Sequence, residues 1–99
     1  MISVNNLILS ILSEECSETA QAISKIHRFG PDNFNPTTKI KNIDKLKEEI
    51  ADVQGMIKLV TRLGIVKFEQ GELDKLIEIR INKTLDSLDL SEKLGIVHH

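Results

Sequence analysis

The chain has one cysteine, two prolines, no tryptophan and no tyrosine among its 99 residues, and only 3% of it is aromatic. The lone Cys16 excludes an internal disulfide framework and any zinc site built on several thiolates, and it points to a reducing compartment. Three phenylalanines are too few for the stacking platform that single-stranded nucleic acid needs. Basic excess is missing as well: 13 Lys and Arg face 15 Asp and Glu, giving a net charge of −2. Duplex binders usually carry the opposite balance, so no nucleic-acid polymer is expected as a partner. There is no long apolar run. The densest cluster, Leu7-Ile8-Leu9 with Ile11-Leu12, is broken by Ser10 and closed by Ser13-Glu14-Glu15. A membrane span takes about 20 apolar residues, and Met1-Ile2-Ser3-Val4 lacks the basic start of a signal peptide. A soluble, cytoplasmic protein without membrane contact is the expectation.

What remains is 40% hydrophobic and dominated by Ile, Leu and Val, enough for one domain over residues 1–99. From Val4 to Phe29 neither Gly nor Pro interrupts a helical recurrence of apolar residues. Gly30-Pro31-Asp32-Asn33 breaks it, because Gly ends helices and Pro cannot continue them. Phe34 to Lys41 reads as a polar loop. A second helix should start between Asn42 and Asp44, either of which can cap an N-terminus, and run to Leu63 before Gly64. Ile65 to Gly71 forms a short connection to a third helix over Glu72 to Leu88, followed by a weakly patterned tail over 89–99. Strand-like alternation is absent. The fold class is all-α.

The charged residues on these helices sit in unusual places. At about 100° per residue, Ile8, Ile11, Leu12, Ala22, Ile23 and Ile26 share one face of helix one. Glu15 falls near the middle of that face and Glu18 roughly 60° to one side, with Glu14 at its edge. Helix two repeats the pattern. Leu46, Val53, Met56, Ile57, Val60 and Leu63 define its apolar stripe, Glu49 lies near the centre, Asp52 beside it and Glu48 at the edge. Packing by these faces gathers four carboxylates into one interior cluster, which is costly without compensation because like charges raise one another's pKa. A divalent cation replaces the repulsion with coordination, and all-oxygen ligation suits Mg²⁺, with Mn²⁺ as a substitute. One such pair on a helix ordinarily marks a solvated face; two centred on apolar stripes do not read that way. A di-iron bundle would want Glu-x-x-His on two helices, and neither His27 nor His98-His99 is spaced for it.

Glu14-Glu15-x-x-Glu18 on one helix and Glu48-Glu49-x-x-Asp52 on the next resemble the MazG-type nucleoside triphosphate pyrophosphohydrolases of the all-α NTP pyrophosphatase superfamily. The resemblance runs from about Leu7 to Leu88, and the string Ser13 to Gly30 is similar to small, single-domain, phage-type members. It implies an antiparallel helical bundle of that type, completed by homo-oligomerisation as a dimer or a dimer of dimers, in a bacterial or phage-infected cytoplasm. It implies hydrolysis of a (d)NTP to the monophosphate and pyrophosphate with Mg²⁺ on Glu15, Glu18, Glu49 and Asp52. Glu14 becomes the candidate for orienting or deprotonating the attacking water, with Glu48 as its counterpart.

Basic groups should meet the remaining phosphate charge. Lys25 lies two turns beyond Glu18, and Arg28 follows one turn later. In helix three, Arg80 borders the stripe of Leu73, Ile77, Ile81, Thr84 and Leu88, and Asn82-Lys83 resembles the amide and basic residues that the family uses near the nucleotide. Each of these is more commonly just a solvated charge.

Cys16 reads as a small core residue at the edge of helix one's stripe and Met56 as packing. Phe29 and Phe34 flank the Gly30-Pro31 break, where anchoring the loop is the ordinary role and closing a base pocket the alternative. His98-His99 reads as a natural end or an appended tail. Two other functions fit the same helices: a module whose acidic faces bind a basic partner, and a catalytically silent nucleotide sensor. Because carboxylates take up part of two apolar faces, a chain this short is expected to need further subunits to complete its core.

Overall fold

A computed structural model describes residues 1–98. The order is α1 (Val4–Phe29), α2 (Asn42–Arg62) and α3 (Glu72–Lys93), and the described residues contain no strand, only an isolated antiparallel bridge between Phe34 and Lys41. The chain divides into two compact units, Met1–Val66 and the described residues from Lys67 onward. None of the helices is long and apolar enough to cross a membrane.

α1 begins where Ser3 places its hydroxyl 3.1 Å from the Asn6 N–H, satisfying one of the donors that a helix start leaves orphaned. It ends at Gly30, whose φ of 88° lies in the region that only glycine enters without strain, and whose N–H donates to the Ile26 carbonyl at 2.8 Å. The loop then closes on itself. Asn42 donates from its side-chain amide to the Gly30 carbonyl at 3.0 Å, while its backbone N–H donates to Asn33 at 2.8 Å and the Ile43 N–H to Pro31 at 3.0 Å. This corrects the expected cap. Lys41 occupies the N-cap position without a side-chain bond, and Asn42 is the first helical residue. Its amide is spent on pinning the loop, which is why it is buried.

Ties between the C-terminal end of α1 and the start of α2, and between Thr19 and Glu49 further along, make the two helices an antiparallel hairpin. Its inner face holds Ala22 and Val60, the buried hydrophobic residues, with Ile8, Ile11, Leu12, Ile26, Leu46, Val53 and Met56 half-buried around them. The helix-wheel faces are therefore largely right, but three members are not covered. Ile23, Ile57 and Leu63 are exposed, because one partner helix shields a narrower arc than the apolar stripe spans. Cys16 is exposed too, so it is not a core residue.

α2 stops through the Ile65 N–H donating to Val60 at 3.0 Å, with Gly64 at φ 72° supplying the left-handed turn. α3 starts at Glu72 as expected but runs five residues past Leu88. Segment 89–93 lacks apolar periodicity yet contains no breaker, and Asp89 pairs with Lys93 one turn on at 3.6 Å. Termination waits for Gly95, at φ 72°, where the Ile96 N–H reaches the Ser91 carbonyl at 2.9 Å. No residue of α3 is buried. Of the terminal histidine pair, His99 lies outside the described residues.

Candidate functional site

The acidic residues of α1 and α2 meet across the hairpin. Oxygens of Glu15, Glu18 and Glu49 all lie within 4.8 Å of one another, and Glu49 is only 3% exposed. Thr19 sets the approach of the backbones here. Its hydroxyl donates to the Glu15 carbonyl at 2.9 Å and faces the Glu49 carbonyl across the interface at 3.5 Å. Such a small side chain lets the two helices come close at the level of the carboxylates.

Oε2 of Glu15 and Oε2 of Glu49 are both buried without a hydrogen-bond partner. Orphaned buried carboxylate oxygens are rare, and each calls for an ion or water to satisfy it. The electrostatics agree. Burial pushes the Glu15 carboxyl above its ordinary value, reinforced in turn by the charges of Glu18, Asp52, Glu49 and Glu14. A divalent cation offsets the repulsion among carboxylate oxygens set this close together.

One internal cation already engages the cluster. Lys45 places its ammonium 3.0 Å from Oε1 of Glu49 and 3.5 Å from Oε2 of Glu48. The hydrogen bond to Glu49, then its charge, holds the Lys45 ammonium above the usual lysine value. Lys45 thus covers one oxygen of Glu49 and leaves the other, with that of Glu15, to face the centre. The i, i+4 spacing of Lys45 and Glu49 was readable in the sequence, but a half-exposed lysine on a charged helix carries no signal of its own. Thr19 had none either.

Asp52 stands outside the close triad and is exposed, although Glu15 feels its charge. Glu14 is exposed at the rim, and Glu48, also exposed, is engaged by Lys45. Lys25 is brought to the site: a hollow of about 260 Å³ is walled by Glu18, Gln21, Ala22, Lys25, Lys45 and Glu49. Arg28 instead sits over the Phe29 ring at 5.2 Å. Arg80, Asn82 and Lys83 lie on α3 in the other unit, where Asn82 and Lys83 share a shallow hollow with Asp86.

Beyond Lys25 and Lys45 the hollow adjoins a larger cavity of about 380 Å³, shaped by the end of α1, the loop and the start of α2. Phe29 and Phe34 line it, both more than half or about half exposed (58% and 50%).

Protein-family models, curated proteins and solved structures were compared with the chain, and none matches.

Proposed function

We propose that this protein is a Mg²⁺-dependent nucleotide pyrophosphohydrolase, converting a (d)NTP to the monophosphate and pyrophosphate. The observation that carries the reading is the pair of buried, unpartnered carboxylate oxygens on Glu15 of α1 and Glu49 of α2, in a cluster that Glu18 of α1 completes. The resemblance of the two acidic motifs to MazG-type enzymes supports the same chemistry.

Glu15, Glu18 and Glu49 would hold the cation, with Asp52 joining from the exposed side; Mn²⁺ suits the same all-oxygen set. A bound divalent cation supplies Lewis acidity at the phosphoryl oxygens and neutralises charge there. Glu14, at the rim, orients a water toward the α-phosphorus and accepts its proton as the new P–O bond forms and pyrophosphate leaves. Glu48 is held by Lys45 and is the weaker candidate for that role. Lys25, in the wall of the hollow, meets the phosphate charge nearest the metal. Arg28, Arg80, Asn82 and Lys83 are proposed as further substrate contacts.

Self-association belongs to this reading. Ala22 and Val60 are the only buried hydrophobic residues among those described, whereas Leu76, Ile77, Ile81, Leu85 and Leu88 on α3 are exposed. A homodimer or dimer of dimers covers such a surface and completes the helical bundle.

The test is a panel of canonical and modified (d)NTPs with Mg²⁺ or Mn²⁺, reading out monophosphate and pyrophosphate. Hydrolysis of none of them, together with a melting temperature that metal does not raise, sinks the proposal. The Lys45–Glu49 contact favours a second reading, a non-catalytic module whose acidic face takes basic groups. In that case chelator leaves stability unchanged and salt weakens the complex with a basic partner.

A further inference from the structure

The cavity beside the acidic cluster has its own chemistry. Its walls combine two aromatic rings, Phe29 and Phe34, with the amides of Asn35 and Asn42, and it shares Lys25 and Lys45 with the hollow that borders the carboxylates. A volume of about 380 Å³ lies within the roughly 300–1,000 Å³ of small-ligand pockets. Each ring has a cation above one face: Arg28 over Phe29 at 5.2 Å and Lys39 over Phe34 at 5.8 Å. Both rings stay half or more exposed, so each keeps surface on which a flat group can pack.

The two amides are not equivalent. Oδ1 of Asn35 already accepts from the Thr37 and Thr38 N–H groups at 2.8 and 3.2 Å, so what it still offers is an N–H donor. The Asn42 amide nitrogen spends one N–H on Gly30 at 3.0 Å, while among the described residues no hydrogen bond engages its Oδ1 as an acceptor. Aromatic faces, a spare donor and a spare acceptor, reached past two lysines from a cation site, are the requirements of a planar heterocycle carrying phosphates.

We infer that this cavity is the base subsite, taking the nucleobase of a nucleoside triphosphate whose phosphates lie at Lys25, Lys45 and the carboxylates. The inference rests on the metal reading above and names where the rest of the substrate goes. Lys45 then becomes a substrate-positioning residue, standing where the base compartment meets the phosphate compartment. Phe34 stacks on the base, and Asn35 and Asn42 contribute to selection among bases.

The experiment compares inorganic tripolyphosphate with dATP, dCTP, dGTP, dTTP and dUTP by calorimetric titration of the full chain, with Ca²⁺ in place of Mg²⁺ to suppress turnover. At least one nucleotide is expected to bind tenfold or more tightly than tripolyphosphate. Phe34→Ala should cut that nucleotide's affinity roughly five- to 150-fold, the range of base–aromatic stacking, and leave tripolyphosphate affinity unchanged. Phe34→Tyr should restore it. Because Phe34 is half-exposed, circular dichroism of Phe34→Ala should match the parent. Equal affinity for tripolyphosphate and every nucleotide, or a Phe34→Ala loss shared by both, overturns the base subsite and leaves the metal reading standing. Absence of metal-dependent tripolyphosphate binding overturns both.

Discussion

Replacing Glu15 with glutamine separates a metal site from a structural acidic cluster. Glu15→Gln keeps the shape of the side chain and breaks no ion pair, since the contacts of Lys45 go to Glu48 and Glu49. In metal-free protein the change removes one charge from a group of carboxylates whose oxygens lie within 4.8 Å, and so relieves both the burial penalty and the neighbouring charges that hold the Glu15 carboxyl above its ordinary value. The melting temperature without metal should therefore hold or rise. With metal the order reverses. A cation at 100 times its dissociation constant stabilises the folded state by about 2.7 kcal/mol. For a domain of about 100 residues each kcal/mol moves the melting temperature by roughly 4–8 °C, so the parent should gain about 11–22 °C. Glu15→Gln should lose most of that gain. Differential scanning calorimetry with and without Mg²⁺, at fixed protein concentration, measures both effects. A variant that is destabilised without metal and gains as much from Mg²⁺ as the parent would refute the reasoning.

Further outcomes follow from the same geometry. Because the Glu15 carboxyl is raised above its ordinary value of 4.5, the folded state binds the proton more tightly than the unfolded one. Metal-free stability should then fall as pH rises from 4.5 through the raised value, and urea titrations should show Glu15→Gln flattening that slope. Mg²⁺ affinity, which needs the carboxylate ionised, should climb over the same window in calorimetric titrations. Lys45→Met removes the cation competing for Glu49, so it should tighten Mg²⁺ binding while raising KM for the nucleotide; the two titrations together check it. Asn42→Ala breaks the tie to Gly30 and should cost about 1 kcal/mol of stability by urea denaturation. Ala22→Leu forces a larger group into the buried face between α1 and α2 and should cost about 1–3 kcal/mol by the same assay.

Much of the hairpin was legible because periodicity and punctuation act locally. The span Val4–Phe29 carries no breaker, Gly30 supplies the left-handed stop, and Glu15 and Glu49 announce themselves by standing in the middle of apolar stripes. Apolar periodicity could not place the end of α3, since segment 89–93 is held helical by backbone bonds and an Asp89–Lys93 pair rather than by a buried face. Nor could a helix wheel say how wide an arc the partner helix covers, and Cys16, Ile23 and Ile57 were assigned to a core that does not reach them. The N-cap went to Lys41 because Asn42 had a competing use for its amide in the loop. Lys45 and Thr19 escaped notice for a related reason. Their roles come from what lies across the hairpin or one turn away in a cluster, and neither residue type is unusual on a helix. The cavity lined by Phe29 and Phe34 exists only once the loop has closed onto Asn42, a contact between residues twelve apart that composition does not encode.

The carboxylates are proposed to hold a metal for attack of water on the α-phosphorus. Phosphorus NMR of turnover in isotopically labelled water, with Mg²⁺ and the most readily hydrolysed nucleotide, tests it most directly. Label should enter the nucleoside monophosphate and not the pyrophosphate, and Glu49→Gln should abolish its appearance. Label in free orthophosphate with a nucleoside diphosphate as co-product, or unchanged turnover in Glu49→Gln, would contradict it.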